Sequence, residues 1–253
     1  MRIVRYLRRG EVRYGVLQGE DVYELAGDLF GECRIGPRVC AVAEVRLLAP
    51  VVPSKVVCVA VNYRHDPQDA RLVLPQEPVI FLKPSTAVVG PEEDILYPEM
   101  SKRVHYEAEL AVVIARLARR VQPTEALEYV LGYTCGNDVT AEDLQTREGH
   151  RTRAKSFDTF CPLGPCILTG GDAINRRIET RLNGEIKQSG STSNLIFSVP
   201  ELISFISQVM TLLPGDVILT GTPPGVGLMN VGDVVEVEIE GIGVLRNTLK
   251  VPS

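Results

Sequence analysis

His105-Tyr106-Glu107-Ala108-Glu109-Leu110-Ala111-Val112-Val113-Ile114 decides how the rest of the chain is read. Its second half is apolar and β-branched and its first half alternates, which predicts a strand. Side chains on a strand repeat every two residues, so Glu107 and Glu109 are expected on one face, about 7 Å apart along the chain. Two like charges at the mouth of an apolar strand repel, and a lone buried carboxylate is costly. A hard divalent cation with oxygen ligands removes that conflict. The plain alternative is a strand rising out of solvent with two hydrated glutamates. The decapeptide alone leaves both open.

Outward from this stretch, the totals narrow the class. A chain of 253 residues can bury a sizeable core, and 45% hydrophobic with 23% charged residues is ordinary globular composition. A formal net charge of -5 gives no electrostatic footprint for nucleic acid. The start, Met1-Arg2-Ile3-Val4-Arg5, is too charged for a secretory core, and no apolar run has the length of a membrane span. The expectation is a cytoplasmic protein with neither nucleic-acid nor membrane partner. Aromatics at 6% and the lack of Trp disfavour a sugar- or lipid-binding sandwich. None of the six cysteines forms a Cys-x-x-Cys pair, so a zinc ribbon is disfavoured and buried thiols are the default. A Cys33–Cys40 disulfide stays open. Lysine occurs only at 55, 83, 102, 155, 187 and 250, so one placed among carboxylates carries weight.

Residues 1–49 read as a small β-rich domain: strands over 2–6 and 12–17 around Arg9-Gly10, and a third over 21–25. Pro50 and Pro53 mark a boundary to a second domain over 50–253. There, strands are expected over 55–61, 78–83, 131–135, 178–182 and 217–220. An Asn183-Gly184 turn is expected to join 178–182 to 185–188, and a hairpin to close the chain over 234–240 and 243–251. Helices are expected over 123–130 and 200–212, each opened by a proline. Residues 146–154 read as polar and partly exposed, and 155–165 as a turn-rich loop. The class is α+β and β-rich; strands do not alternate regularly with helices, which disfavours a doubly wound sheet.

Three further residues are candidates for chemistry. Asp138 sits behind Gly136, where a carboxylate can face a cleft, although a turn or helix-cap Asp is the common use. Lys155 can oppose developing negative charge, although most lysines are simply solvated. In Gly221-Thr222-Pro223-Pro224-Gly225 the backbone can approach an anion and the Thr hydroxyl adds a donor; no Lys-Ser/Thr follows, so this is no P-loop.

Together these stretches resemble the fumarylacetoacetate hydrolase family. The motifs are His-Tyr-Glu-Ala-Glu at 105–109, Gly-Asn-Asp-Val-Thr-Ala at 136–141, Lys-Ser-Phe-Asp-Thr-Phe-Cys-Pro-Leu-Gly-Pro at 155–165, and Leu-Thr-Gly-Thr-Pro-Pro-Gly-Val-Gly at 219–227. Asn183-Gly184-Glu185 and the run 211–216 fit as well. The resemblance spans about residues 51–250, and residues 1–49 resemble the small N-terminal domain of many prokaryotic members. It implies a mixed β-sandwich roll and a homodimer. It implies Mg²⁺ or Mn²⁺, with Ca²⁺ as a further candidate, held by Glu107, Glu109 and Asp138. Lys155 is implied beside the metal, and Gln145, Gly221 and Thr222 on a small oxo-acid substrate. Family members isomerise, decarboxylate or hydrolyse 2-oxo and 1,3-dicarbonyl acids, many from aromatic catabolism. A divalent Lewis acid suits the enolate common to all three reactions, and Lys155 adds positive charge where negative charge develops.

One segment departs from the family pattern Asn-Tyr-x-x-His-x-x-Glu, whose His and Glu activate water. This chain reads Asn62-Tyr63-Arg64-His65-Asp66-Pro67-Gln68-Asp69. Either His65 and Asp69, four apart, form a shifted catalytic dyad, or Asp66-Pro67 opens a helix and leaves His65 outside it. Hydrolysis needs a base for water, so isomerisation or decarboxylation is the expected chemistry. C–C hydrolysis and a catalytically idle metal-binding protein are the alternatives. Glu142 also stands where Arg is common.

Overall fold

Leu110-Ala111-Val112-Val113-Ile114 has no polar residue to turn toward water, and the structure gives it none: the strand Ala108–Ile114 is buried along its whole length. Its two faces feed two cores. Leu110, Val112 and Ile114 pack with Leu202, Ile203 and Ile206, while Ala111 and Val113 pack with Val56, Cys58, Val217 and Leu219. Each fully buried large aliphatic side chain contributes about 1.5–3 kcal/mol. The computed structural model describes residues 1–64, 74–171 and 173–252.

Among the described residues three sheets form a mixed β-sandwich roll. The largest runs, edge to edge, through Cys33–Ala41, Asp21–Gly27, Glu11–Gln18, Arg2–Arg8, Cys161–Leu168, Val130–Asn137, Ala108–Ile114, Val217–Leu219, Lys55–Ala60 and Val79–Pro84. The strands of residues 1–49 therefore continue this sheet: Arg2 pairs with Leu168 and Ile3 with Ile167. A second sheet contains Glu185–Ser191, Arg177–Leu182, Val234–Ile239, Gly243–Lys250 and Asp94–Leu96. Val235, Val237 and Ile239 are buried while the intervening glutamates are partly exposed, as the alternation predicts. Asn183 and Gly184 both have positive φ, as a type I′ turn requires. A third, small sheet joins Thr140–Ala141, Val104–Tyr106 and Gly227–Met229. No helix among the described residues is long and apolar enough to cross a membrane.

Several expectations are corrected. The stretch 105–114 is two strands, because the chain leaves the small sheet at Tyr106 and joins the large one at Ala108. Glu107 sits at the switch, its N–H donating to Asn137 Oδ1 (2.9 Å) and its carbonyl accepting from the Asp138 N–H (2.9 Å). The helix expected over 123–130 is a single 3₁₀ turn, Ala126–Tyr129, cut short because Val130 already belongs to a strand. The longest helix is Val199–Val209, one residue earlier at its start and shorter at its end than expected. The Ser198 N–H and hydroxyl both donate to the Glu201 carboxylate and set its first turn, and extended Met210 stops it. Residues 146–154, read as polar and partly exposed, overlap two helices that were not expected, Glu142–Glu148 and Thr152–Lys155. Cys33 and Cys40 are free thiols at opposite ends of one strand. Seven residues of strand span about 23 Å, far beyond disulfide reach.

Candidate metal and substrate site

The sheet switch at Glu107 brings together side chains that a single straight strand would hold apart. One carboxylate oxygen each from Glu107, Glu109 and Asp138 lie within 4.8 Å of one another. Glu109 and Asp138 are almost wholly buried, and Glu107 is partly so. Glu109 Oε2 accepts the Gly221 N–H at 2.6 Å. Gly221 has φ +97°, and a Cβ there would lie 2.9 Å from Asn62 Cβ, so only glycine brings that N–H in. The group expected to meet substrate at Gly221 is thus engaged by a carboxylate.

Glu107 Oε1 accepts the Thr140 hydroxyl at 2.5 Å, and its Oε2 lies 3.0 Å from Lys155 Nζ. Asp138 is gripped on both oxygens, by Lys83 Nζ on Oδ1 (2.5 Å) and Lys155 Nζ on Oδ2 (2.6 Å). Burial works against the Asp138 charge, but Lys155 and Lys83 outweigh it and hold the carboxyl below its ordinary range. Burial likewise opposes the Lys155 charge, and Asp138 and Glu107 outweigh it, so the ammonium is held above its ordinary range. Glu109 is the exception. Burial first, then the Asp138 and Glu107 charges, push its carboxyl well above the ordinary range.

That imbalance is the test of fit for a metal. Three carboxylates face two lysines in a nearly dry site, and two like charges 4 Å apart repel by about 4 kcal/mol at an effective dielectric of 20. A divalent cation reverses the sign of the site. The three converging donors are hard oxygens with no imidazole or thiolate among them, which fits Mg²⁺, Mn²⁺ or Ca²⁺.

The carboxylates form the floor of a cleft of about 410 Å³, walled by Tyr63, Phe81, Gln145, Arg151, Lys155 and Thr222. Gln145 projects from the helix Glu142–Glu148, and its Oε1 is buried with no hydrogen-bond partner. The Thr222 hydroxyl accepts Gln188 Nε2 at 2.8 Å; Gln188 also donates to Pro223 O (2.7 Å) and accepts from the Ala108 N–H (3.0 Å) and the Thr180 hydroxyl (2.6 Å). A wider cavity of about 850 Å³ lies beside the cleft and shares Phe81 and Arg151 with it, but none of the three carboxylates lines it.

The structure thus gathers Glu107, Glu109, Asp138, Lys155, Gln145 and Thr222, with Gly221 behind Glu109. His65 and Asp69 lie outside the described residues. Sequence reasoning missed Lys83, Gln188 and Arg151. Lys83 had a signal: a scarce lysine inside the apolar strand Val79–Pro84, fully buried in the structure. Gln188 had none, since its partners lie 8 to 80 residues away.

Known proteins match both the sequence and the fold. Residues 55–250 match the family described as "Fumarylacetoacetate (FAA) hydrolase C-terminal", and residues 1–50 match "Rv2993c-like, N-terminal". The rat mitochondrial oxaloacetate tautomerase Fahd2a is 40% identical over 257 residues, covering 97% of this chain and 78% of that protein. The crystal structure of 5-carboxymethyl-2-hydroxymuconate delta-isomerase from Mycobacterium smegmatis superposes with a TM-score of 0.93 at 44% identity, covering 100% of both chains. The maleylpyruvate hydrolase of Sphingobium sp. SYK-6, solved with manganese(II) and pyruvate, has a TM-score of 0.82 at 27% identity, again covering 100% of both chains. The chain belongs to the fumarylacetoacetate hydrolase family.

Proposed function

We propose that the protein is a divalent-metal-dependent enzyme that interconverts keto and enol forms of a small 2-oxo dicarboxylic acid, or isomerises or decarboxylates such an acid by the same enolisation. The observation that carries this is the convergence of Glu107, Glu109 and Asp138 at the floor of a cleft whose wall holds a paired cation, Lys155. The tautomerase and isomerase relatives support the same reaction class. Glu107, Glu109 and Asp138 would hold the ion, which supplies Lewis-acid polarisation of the 2-oxo group.

The remaining chemistry falls to the side chains. Lys155 keeps its proton because two carboxylates face it, so it acts as a fixed positive charge near the enolate oxygen. Thr222, oriented by Gln188, presents its hydroxyl to the substrate carboxylate. The Gln145 amide faces the reacting end with its oxygen unpartnered. Tyr63 and Phe81 form apolar walls that limit water. The assembly belonging to this reading is a homodimer, checked by light scattering.

Oxaloacetate is the test substrate. Mg²⁺-loaded protein should accelerate enol–keto interconversion followed in the ultraviolet, and exchange of the C3 protons for deuterium followed by NMR. EDTA and Asp138→Asn should abolish both. Absence of metal-dependent exchange on oxaloacetate and on longer 2-oxo diacids would sink the proposal in favour of an idle metal-binding protein. Rapid cleavage of acylpyruvates, lost in His65→Ala, would establish the hydrolase alternative instead.

A further inference from the structure

Arg151 and Lys155 stand one helical turn apart. The Lys155 N–H donates to the Arg151 carbonyl at 3.0 Å, so both side chains leave the same face of the short helix Thr152–Lys155. Both cations then lie over one aromatic ring: Lys155 Nζ is 5.3 Å and Arg151 Cζ 5.5 Å from the Phe81 centroid. Their roles diverge from there. Lys155 reaches inward to Asp138 and Glu107. Arg151 is half-buried, lines both this cleft and the wider cavity beside it, and among the described residues forms no ion pair with a carboxylate. The nearby acid, Glu148, is already taken by Arg153 and Arg147. A half-buried guanidinium parked on a ring, at the rim of a cleft with a cationic floor once a divalent ion is bound, is matched to an anion that enters the cleft.

Charge bookkeeping gives that anion its valence. Three carboxylates, Lys83, Lys155 and a divalent ion leave one positive charge at the floor, and Arg151 adds a second at the rim. A 2-oxo monocarboxylate neutralises only the first. An acid with carboxylates at both ends neutralises both, and the planar guanidinium can grip the far one with two parallel N–H bonds. We infer that Arg151 is the specificity residue of this site and holds the distal carboxylate of a dianionic 2-oxo acid whose 2-oxo end lies at the carboxylate cluster. The assignment rests on the 2-oxo acid reading of the cleft.

Calorimetric titration of the Mg²⁺-loaded protein tests it without relying on turnover. Two matched pairs serve as probes: oxaloacetate against 2-oxobutanoate, and 2-oxoglutarate against 2-oxopentanoate. Within each pair the acids differ only in ending in a carboxylate or a methyl group. In at least one pair the wild type should bind the diacid about tenfold to a hundredfold more tightly. Arg151→Gln should collapse that ratio to about threefold or less, and Arg151→Lys should keep part of it, because it retains charge without the planar fork. A purely structural role for Arg151 would weaken both members of a pair together and leave the ratio standing, which overturns the assignment. So does a wild type that binds diacids and monoacids alike. A wild type that binds none of the four acids removes the 2-oxo acid reading itself, and this assignment with it.

Discussion

Lys83 Nζ lies 2.5 Å from Asp138 Oδ1, and both side chains are completely shielded from solvent. Lys83 also donates to the Val139 carbonyl at 2.9 Å, so its ammonium ties the residue after Asp138 as well as the carboxylate. With Lys155 on the other oxygen, Asp138 is fixed in direction before any ligand arrives. Removing one partner of such a pair leaves an uncompensated buried charge. Lys83→Met should therefore lower stability by about 3–5 kcal/mol, a fall of roughly 10 °C in Tm for a domain of this size. Because it also removes a positive charge beside the carboxylates, it should tighten divalent-metal binding at the same time. Differential scanning calorimetry and metal titration on the one variant check both signs; an unaltered Tm would contradict the first.

Gln188 joins the central strand at Ala108 to the Thr222 hydroxyl with all four of its amide contacts satisfied. Gln188→Leu keeps the volume and strands those partners in a buried setting, at a cost of about 1–3 kcal/mol for each group left unpaired. Thr222 also loses its orienting donor. The expected kinetic signature on a 2-oxo diacid is a raised KM with a smaller change in kcat, shared by Thr222→Val and weaker in Thr222→Ser. Equal KM values in wild type and Gln188→Leu would show that Thr222 does not hold substrate.

Asp216 provides a pH-dependent support remote from the cleft. Its carboxylate accepts from the Ser54 N–H and hydroxyl (3.0 and 2.6 Å), the Lys55 N–H (3.2 Å), the Leu213 N–H (2.8 Å) and the Lys55 ammonium. Burial opposes the charge, yet Lys55, Ser54 and Leu213 outweigh it and hold the carboxyl below its ordinary range. A carboxyl lowered on folding stabilises fully above its unfolded value, about 3.9, and loses that contribution as pH falls through the folded value. Asp216→Asn should therefore destabilise at pH 7, and its deficit relative to wild type should shrink steadily below about pH 4. Urea unfolding of both proteins between pH 2.5 and 7 measures this, and a constant gap would remove Asp216 as its cause.

Glu107 and Glu109 were legible in the sequence because two carboxylates at the mouth of an apolar strand need a compensating charge; Asp138, Lys155 and Thr222 were candidates from their own loops, and the family resemblance joined them to that pair. The sandwich roll was legible on the same grounds, helped by the clean alternation of 234–239. What brings the carboxylates within 4.8 Å was not. The strand breaks at Glu107 because Asn137 and Thr140, about thirty residues on, claim its backbone and carboxylate, and no local propensity records a sheet switch. Arg151 was missed because alone it reads as an ordinary solvated cation, whereas Lys83, scarce and set in the apolar strand Val79–Pro84, carried a signal that only its carboxylate partner makes specific. The helices within 142–155 hid behind a polar composition because they bury little beyond Leu144, Ala154 and Lys155.

Binding of a ligand to the folded state alone raises stability by about 2.7 kcal/mol at a hundredfold excess over Kd. Mg²⁺ or Mn²⁺ should thus raise Tm of the wild type by several degrees, EDTA should reverse the shift, and Glu109→Gln should suppress it. The rise should be absent with monovalent salt at equal ionic strength, which separates binding from screening.

Anomalous diffraction from crystals grown with Mn²⁺ is the most direct measurement of all. The expected map holds one strong peak bounded by Glu107, Glu109 and Asp138, with oxygens at about 2.0–2.6 Å and Lys155 beside it. A map from Mn²⁺-saturated crystals with no peak between those three carboxylates, or with the ion held by other residues, would contradict the metal centre on which the proposed enolisation depends.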